Sequence, residues 1–334
     1  MSDTCSITVL TPCYNEADNV ETLYARVRAV LEPLPDYRYE HLFIDNASTD
    51  ETVAILRRLA AADHRVKVIV NTRNFGHVRS PYHALLQCRS DAVNAMAADL
   101  QEPPELLPNF LAQWRKGYKV VLGVKSTSRE SWLMFAIRRL GYAVIDRLSE
   151  VQQVRNSTGF GLYDHAFVSV LRRLPDPYPY FRGIVAELGF QYATIPYEQP
   201  NRHQGLTKNN FFTLYDLGMQ GIVNHSKIPL RLATMLGFAS SVVTFATALV
   251  YLVMKLLFWY NLPIGVAPVL IGLFCVASVQ LFFLGVLGEY VGSIYTQVRN
   301  RPLVIEAERI NFDDDVADEG AVRTGATHTH RVLS

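Results

Sequence analysis

SITVLTPCYNE, residues 6–16, is a short run of β-forming residues that stops at a proline and continues as polar residues. HLFIDNASTDET, residues 41–52, repeats this arrangement, with an apolar run that ends at an aspartate and a polar turn. Helical patterns over residues 19–31 and 52–61 connect these runs to each other and to a third apolar run, residues 66–70. The order strand, helix, strand, helix, strand predicts an α/β fold with a Rossmann-like, mostly parallel sheet.

Two further apolar runs, residues 93–97 and 120–124, extend this predicted sheet. Open α/β sheets bind ligands at the carboxyl ends of their strands, so polar residues that follow the runs are candidate nucleotide ligands. They are Pro12, Tyr14, Asn15, Glu16, Asp45, Asn74 and Gly76. A carboxylate such as that of Asp45 accepts hydrogen bonds from a base or ribose, and a ring such as that of Tyr14 can stack on a base. The alternative is that they are ordinary turn and capping residues.

The sequence ADLQEPPE at residues 98–105 carries the candidate catalytic and metal-binding residues, Asp99 and Gln101. In an extended segment their side chains point to the same side, which places a carboxylate and an amide oxygen near one divalent cation. Mg²⁺ or Mn²⁺ bridging a diphosphate fits this pair, because the cation would neutralise charge on a departing nucleotide diphosphate. The alternative is that Asp99 and Glu102 form the N-terminal cap of a helix before Pro103.

The composition changes sharply near residue 226, where a mixed, charged sequence gives way to uncharged stretches. Residues 232–254 and 256–288 carry no charged side chain. Each stretch exceeds the roughly 20 residues that cross a bilayer core, which predicts two transmembrane helices. The alternative is a helical hairpin buried in a soluble core. The predicted organisation is a sheet domain at residues 1–226, a two-span hairpin at 227–300 and a cytoplasmic tail at 301–334 that is disordered at its end.

The charge distribution bears on partners and location. The formal net charge is only +1, which gives no global attraction to nucleic acid. Lys227 and Arg231 precede the first uncharged stretch, and Arg299 and Arg301 follow the second. By the positive-inside rule both ends of the hairpin, and the domain before it, are cytoplasmic. The four cysteines form no CxxC pair, and the first residues lack the pattern of a signal peptide.

Several short motifs follow one another in the order found in a known family. They are TPCYNEADNV at residues 11–20, FIDNASTDET at 43–52, NFG at 74–76, ADLQEPPE at 98–105 and RHQGLTK at 202–208, followed by the two uncharged stretches. From about residue 7 to residue 301 the chain resembles family 2 glycosyltransferases of the GT-A fold, within the group of dolichyl- and polyprenyl-phosphate sugar synthases. The resemblance implies that the nucleotide is held by Pro12, Tyr14, Glu16 and Asp45, and the metal and donor diphosphate by Asp99 and Gln101.

Two positions depart from the pattern of that family. Relatives commonly carry an aspartate two residues before the one matching Asp99, where this chain has Ala97, and many carry an aspartate at the position of Gly159. The second departure removes a candidate catalytic carboxylate. A phosphate-monoester acceptor is largely a dianion at neutral pH, because its second pKa is about 6. Such an acceptor needs no general base to attack an anomeric carbon, so positioning and charge compensation suffice.

Cations near the membrane are the candidate ligands of an acceptor phosphate. They are Arg129, Arg202 and Lys208, with Ser131 as a hydroxyl donor. Arginine offers a bidentate fork and lysine a mobile point charge, although each of these residues could instead be an ordinary surface residue. Residues 132–148 and 211–223 are predicted to be interfacial helices on anionic lipid, with a core-facing helix as the alternative.

These patterns predict an inverting glycosyltransferase that spans a bacterial inner (plasma) membrane more than once. It would move a hexose-type sugar from a UDP- or GDP-linked nucleotide-sugar to polyprenyl phosphate, which is undecaprenyl phosphate in a bacterium. One alternative is a processive polysaccharide synthase, but the chain lacks a Gln-x-x-Arg-Trp segment. Another is a degenerate transferase kept as a membrane scaffold, although Asp99, Gln101, Arg202 and Lys208 are intact. The sugar, the base and homo-oligomerisation stay open.

Overall fold

The computed structural model describes residues 4–126, 157–174, 176, 179–200, 228–257, 266–299 and 301–312. Within them, eight strands form one sheet: β1 (Cys5–Cys13), β2 (Tyr37–Asp45), β3 (Val66–Asn71), β4 (Ala92–Ala95), β5 (Val120–Lys125), β6 (Ser157–Asp164), β7 (Tyr192–Tyr197) and β8 (Glu306–Ile310). The α-helices of the described residues are α1 (Val20–Leu31), α2 (Thr52–Ala62), α3 (Gly76–Gln87), α4 (Leu107–Arg115), α5 (His165–Leu171), α6 (Phe181–Glu187), α7 (Ile228–Leu257) and α8 (Val266–Val298).

The sheet is mostly parallel, which confirms the predicted fold class. Its strands lie in the order β7-β5-β6-β4-β1-β2-β3-β8. In this order β1 pairs in parallel with β2 and β4, and β2 pairs in parallel with β3. By contrast, β6 runs antiparallel to both β4 and β5. Strands β1 to β4 therefore place their carboxyl ends at one edge, where α/β sheets bind ligands.

Helices cover both faces of the sheet and support that edge. On one face, α1 buries Val20, Leu23, Val27 and Leu31, because residues three and four apart lie on one side of a helix. On the other face, α5 contributes Phe167, whose side chain is fully buried. Burying each large apolar side chain stabilises the fold by roughly 1.5–3 kcal/mol. The loops at the strand ends therefore stand on a tightly packed base.

Strand β8 joins the sheet after the two long helices. Residues 306–310 fall within the predicted tail, but they pair antiparallel with β3. The carboxylate of Glu306 contacts His83 Nε2 at 2.6 Å. Burial alone would raise the pKa of Glu306, but its hydrogen bonds with His83 and Arg309 outweigh burial and lower the pKa to about 2. The sequence EAERI lacks a run of apolar or β-branched residues, so no strand pattern predicts β8.

Helices α7 and α8 lie between the sheet domain and β8. They contain Leu230–Thr247 and Val276–Val298, which are long and apolar enough to cross a membrane. Many of their described apolar side chains are exposed, with Phe238 at 73% and Phe282 at 68%. A helix in the core of a soluble protein would bury such side chains, so the exposure disfavours the alternative of a buried hairpin. Helix α8 also continues beyond the second uncharged stretch, to Val298.

Candidate active site

The predicted nucleotide and metal ligands of the described residues lie at the carboxyl edge of the parallel strands. Pro12 lies at the end of β1 and Asp45 at the end of β2, while Tyr14, Asn15 and Glu16 follow β1, Asn74 and Gly76 follow β3, and Asp99 and Gln101 follow β4. Strand β1 lies between β2 and β4 in the sheet. The carboxylates of Asp45 and Asp99 therefore belong to loops on either side of the end of β1.

Asp45 is fixed within the loop that follows β2. Its residue exposure is 0%. Its Oδ2 accepts from the backbone N–H of Ser48 at 2.9 Å, and its Oδ1 accepts from Ser48 Oγ at 2.5 Å. Burial raises the pKa of Asp45, and the two bonds from Ser48 oppose the rise. An ionised carboxylate has about four acceptor positions, so the two bonds leave room for donors of a ligand.

Asn15 joins the loop after β1 to the loop after β2. Its backbone N–H donates to Ser48 Oγ at 2.9 Å, and its side-chain oxygen accepts from the backbone N–H of Thr49 at 2.8 Å. The φ angle of Asn15 is 56°, in the left-handed region that asparagine tolerates better than most residues. Glu16 is engaged too, since one of its oxygens accepts from Asn19 Nδ2 at 2.6 Å. Asn15 therefore joins the two loops, and Glu16 stabilises the loop after β1 from within.

Asn46 holds the turn after β3 through hydrogen bonds, a role that the sequence did not predict. Its Oδ1 accepts from the backbone N–H of Phe75 at 2.9 Å and from Asn71 Nδ2 at 3.2 Å. Its Nδ2 donates to Asn74 Oδ1 at 2.9 Å and to the carbonyl of Gly76 at 3.1 Å. Gly76 has φ 90°, a value that favours glycine. The only available signal was a polar residue directly after a buried strand.

The loop after β4 differs from its predicted form. Leu100 has φ 60°, so the segment is not extended, and the premise that Asp99 and Gln101 point to the same side for that reason is wrong. Asp99 Oδ1 accepts from the backbone N–H of Gln101 at 3.2 Å. Gln101 Oε1 accepts from Gln199 Nε2 at 2.8 Å. An amide oxygen has two lone pairs, so Gln101 keeps acceptor capacity beyond Gln199.

Asp99 and Gln101 together offer one carboxylate and one amide oxygen to a divalent cation. In the described part of the chain, no three or more His, Cys, Asp or Glu side chains come together as a metal site. Proteins typically hold Mg²⁺ through one or two carboxylates, while substrate phosphates and water complete its ligands. The residues present fit this open type of binding, in which the substrate shares the cation, better than a closed protein cage.

Glu102 is buried beside this loop. The 3₁₀-helix that follows has Pro103 at its N-terminal boundary and no side-chain cap, so the alternative that Asp99 and Glu102 cap a helix is wrong. Glu102 is 8% exposed. Its Oε2 accepts from the backbone N–H of Ala97 at 2.7 Å, and its Oε1 accepts from Thr158 Oγ1 at 3.0 Å. Burial raises the pKa of Glu102 to about 7, although both hydrogen bonds oppose the rise.

The two departures from the family pattern lie next to these contacts of Glu102. Gly159 follows Thr158 and has φ 96°, a backbone conformation in which any L side chain is strained. An aspartate at this position would need a different local backbone. At the other departure, the backbone N–H of Ala97 donates to Glu102. Glu102 therefore contacts Ala97 at one departure and Thr158, the neighbour of Gly159, at the other.

The predicted ligands of the acceptor phosphate lie outside the described residues. They are Arg129, Ser131, Arg202 and Lys208. The predicted interfacial helices, residues 132–148 and 211–223, also lie outside them, as does the tail from residue 313. The described part of the site is consequently the part formed by the strand ends.

A mostly parallel α/β sheet with acidic loops at its carboxyl edge has the GT-A arrangement of glycosyltransferases. A model of glycosyl transferase family 2 matches residues 8–173. An uncharacterized glycosyltransferase of Synechocystis sp. is 31% identical over 91% of this chain and 96% of that protein. The SfII prophage-derived bactoprenol glucosyl transferase of Shigella flexneri is 31% identical over 90% of this chain and 96% of that protein. The chain belongs to glycosyltransferase family 2 and is a glycosyltransferase.

Proposed function

We propose that this glycosyltransferase moves a hexose-type sugar from a UDP- or GDP-sugar to the phosphate of a polyprenyl lipid, undecaprenyl phosphate in a bacterium. The observation that carries the proposal is the pair of carboxylates, Asp45 and Asp99, in loops on either side of the end of β1. A relative that aligns over almost its whole length is named as a bactoprenol glucosyl transferase, which supports a lipid acceptor.

The loops after β1 and β2 form the nucleotide site of this proposal. Asp45 is oriented by Ser48 and fully buried, so its carboxylate is already fixed, and a local opening of the loop would give a base or ribose access to its remaining acceptor positions. The ring of Tyr14 follows β1 and provides a surface for stacking on the base. Fixing these groups before the donor binds lowers the entropy cost of binding.

The loop after β4 forms the diphosphate site. Asp99 and Gln101 would hold Mg²⁺ or Mn²⁺, which when bound neutralises charge on the leaving nucleotide diphosphate. Asp99 brings a negative charge, and Gln101 brings a neutral oxygen that Gln199 already orients at 2.8 Å. One carboxylate and one amide suit a cation that must stay bound to a diphosphate leaving group, because a closed cage would exclude the substrate oxygens.

The transfer itself is an in-line displacement at the anomeric carbon. An oxygen of the lipid phosphate forms the new bond to that carbon as the bond to the nucleotide diphosphate breaks, which inverts the anomeric configuration. The acceptor is largely a dianion at neutral pH, since its second pKa is about 6. Glycine at position 159 provides no carboxylate. The reaction needs none, because the acceptor is already an anion. Arg129, Ser131, Arg202 and Lys208 are the proposed phosphate ligands.

Helices α7 and α8 would anchor the domain in a bacterial inner membrane. Their exposed apolar side chains suit a lipid environment. Arg299 and Arg301 follow α8, and the positive-inside rule places them, and with them the sheet domain, on the cytoplasmic side. Nucleotide-sugars and the lipid phosphate then meet at the same membrane surface.

The test is incubation of the purified full chain with polyprenyl phosphate and a panel of radiolabelled UDP- and GDP-sugars. A labelled lipid that forms only with a divalent cation present is the expected product. Elongating polymer would support a processive synthase instead. A protein that neither transfers nor hydrolyses any donor would refute the proposed reaction.

Exchange of Arg202 for alanine tests the acceptor site. We expect the KM for polyprenyl phosphate to rise about tenfold or more, because a charge-assisted hydrogen bond contributes roughly 1.5–3 kcal/mol, while nucleotide affinity stays unchanged. Arg173, an exposed arginine after α5, is the control, and Arg173→Ala should leave both constants unchanged. An Arg202→Ala enzyme with the wild-type KM for the lipid would exclude Arg202 from the site.

A further inference from the structure

Among the described residues, Glu102 makes its side-chain hydrogen bonds to Ala97 and Thr158 rather than to the proposed nucleotide ligands, and it is buried between the loop after β4 and strand β6. We propose that Glu102 is the positioning residue that places Asp99 and Gln101 for binding the metal and the diphosphate. The inference rests on the proposed function, because it assigns a role within that donor site. It is carried by the two hydrogen bonds of the Glu102 carboxylate, to the backbone N–H of Ala97 and to Thr158 Oγ1.

The bond to Ala97 closes the loop that bears both ligands. Glu102 Oε2 accepts from the backbone N–H of Ala97 at 2.7 Å, so the chain from residue 97 to residue 102 is joined at its two ends. Within this loop Leu100 adopts φ 60°, which costs a non-glycine residue on the order of 1–2 kcal/mol. Such a conformation persists only where the surroundings enforce it. The Glu102 carboxylate supplies part of that enforcement.

The bond to Thr158 fixes the closed loop against the sheet. Thr158 lies in β6, the antiparallel neighbour of β4. Glu102 Oε1 accepts from its hydroxyl at 3.0 Å. The loop after β4 is therefore tied to the next strand as well as to its own start. The contact lies beside Gly159, so the Glu102 carboxylate meets β6 where its backbone adopts φ 96°.

Stability alone does not account for a carboxylate here. Glu102 is 8% exposed, and burying a polar group costs free energy unless hydrogen bonds compensate it, whereas an apolar side chain would avoid that cost. Glu105, only three residues along, shows the ordinary alternative: it is exposed and pairs with Arg26 at 2.7 Å. A buried carboxylate that accepts from two donors fixes the conformation of a loop, whereas an exposed one such as that of Glu105 does not.

The test compares the affinity for UDP and GDP, with and without Mn²⁺, in the full chain and four variants by calorimetry. In Glu102→Ala we expect the gain in affinity that Mn²⁺ gives to fall about tenfold or more, as is typical for residues that orient metal ligands. Metal-free affinity, which depends on the Asp45 loop, should stay within about twofold because that loop does not contact Glu102. Glu105→Ala is the matched control and should behave as wild type.

Two further variants separate positioning from charge and from folding. In Glu102→Gln the amide oxygen can accept from Ala97 and the amide nitrogen can donate to Thr158, so the Mn²⁺-dependent gain should return to near the wild-type value. Thr158→Val removes only one bond and should lower the gain about fivefold, which tests the role of Glu102 even if Glu102→Ala fails to fold.

Three results would overturn the inference. The first is a folded Glu102→Ala protein that has lost thermal stability but keeps the full Mn²⁺-dependent gain. The second is a Glu102→Gln protein as impaired as Glu102→Ala. The third is a wild-type protein that shows no gain with Mn²⁺, which refutes the metal site of the proposed function together with the role of Glu102. Because the third result appears in the wild type, it is distinguishable from the first two.

Discussion

Two loops at the same sheet edge carry aspartates but are held in different ways. The loop after β2 is closed from within, since both side-chain oxygens of Asp45 accept from Ser48. In the loop after β4, Asp99 Oδ1 accepts from the backbone N–H of Gln101 at 3.2 Å, and Glu102 bonds back to Ala97. The first loop is tied to the neighbouring loop after β1 through Asn15, whereas the second is tied to β6 and to the segment after β7.

The difference suggests a division of labour within the donor site. A nucleoside has the same shape before and after transfer, so a self-contained loop with a fixed carboxylate suits it. The diphosphate changes its charge and its bonds during the reaction. Its proposed ligands lie on a loop whose position is set by long-range contacts, with Gln199 reaching Gln101 across 98 residues of sequence.

Asp99→Ala should have the largest effect. Without its carboxylate, charge on the leaving diphosphate is poorly compensated, so we expect turnover to fall on the order of 100-fold or more. Thermal unfolding should change little, because Asp99 is only half-buried. The control is Asp36→Ala, which removes an exposed carboxylate at the opposite sheet edge. Wild-type turnover in Asp99→Ala would remove the metal assignment.

Asp45→Asn should act on donor binding rather than on turnover. The exchange keeps the shape of the side chain but removes the charge that strengthens hydrogen bonds from a ligand, so donor affinity should fall about tenfold. Turnover at saturating donor should stay within about threefold, since the proposed contact of Asp45 is with the nucleoside and not with the reacting bond. Steady-state kinetics over a range of donor concentrations separates the two constants. A fall in turnover alone would contradict the division of labour.

Ser48→Ala tests whether the first loop is indeed self-contained. The exchange removes the bond to Asp45 Oδ1 and the acceptor of the Asn15 backbone N–H, but the backbone bond to Asp45 remains. We expect donor affinity to fall about fivefold, equivalent to one hydrogen bond. Ser6→Ala is matched to it, because Ser6 Oγ donates to Asp91 Oδ2 at 2.8 Å away from the site. Equal donor affinities in the two variants would show that Ser48 does not orient Asp45.

The smallest effect is expected for the pH-dependent stability of β8, which lies outside both loops and serves as the comparison for them. Glu306 has a pKa of about 2 in the folded protein, below the value of about 4.3 for an unperturbed glutamate. A lowered pKa stabilises the folded state above pH 4.3, and this contribution is lost as the pH falls from about 4.3 through about 2. Hydrogen exchange of the β8 amides should detect the loss, and Glu306→Gln should remove the pH dependence. Unchanged protection of the β8 amides from hydrogen exchange across this pH range would refute a stabilising role of ionised Glu306.

The sequence predicts the sheet because its signals are local. Apolar runs that end in polar turns specify β1 to β5 without help from distant residues, and each predicted strand lies within a few residues of the observed one. The location of the proposed nucleotide ligands at one sheet edge follows from the same rule, since parallel strands must present their carboxyl ends together; their role stays a prediction. Asp45 is the clearest case, because a strand-end aspartate followed by a serine three residues later forms a bonded turn.

Features that depend on distant contacts could not be predicted in this way. Glu102 has its partner Thr158 56 residues away in sequence, and neither residue is unusual in its local context. The left-handed conformation of Leu100 has no local signal either, because leucine disfavours it. Strand β8 pairs with β3 across more than 200 residues, and its charged sequence gives no strand pattern. Asn46 is a polar residue directly after a buried strand, which marks its position in the sequence, but its hydrogen-bond partners are visible only in the structure.

Because β8 is synthesised after both long helices, one side of β3 has no partner strand while the rest of the sheet is being made. Exposed strand edges pair readily with those of other chains. Completion of the sheet therefore waits until α7 and α8 have been synthesised, so the edge of β3 is the last part of the sheet to gain its partner.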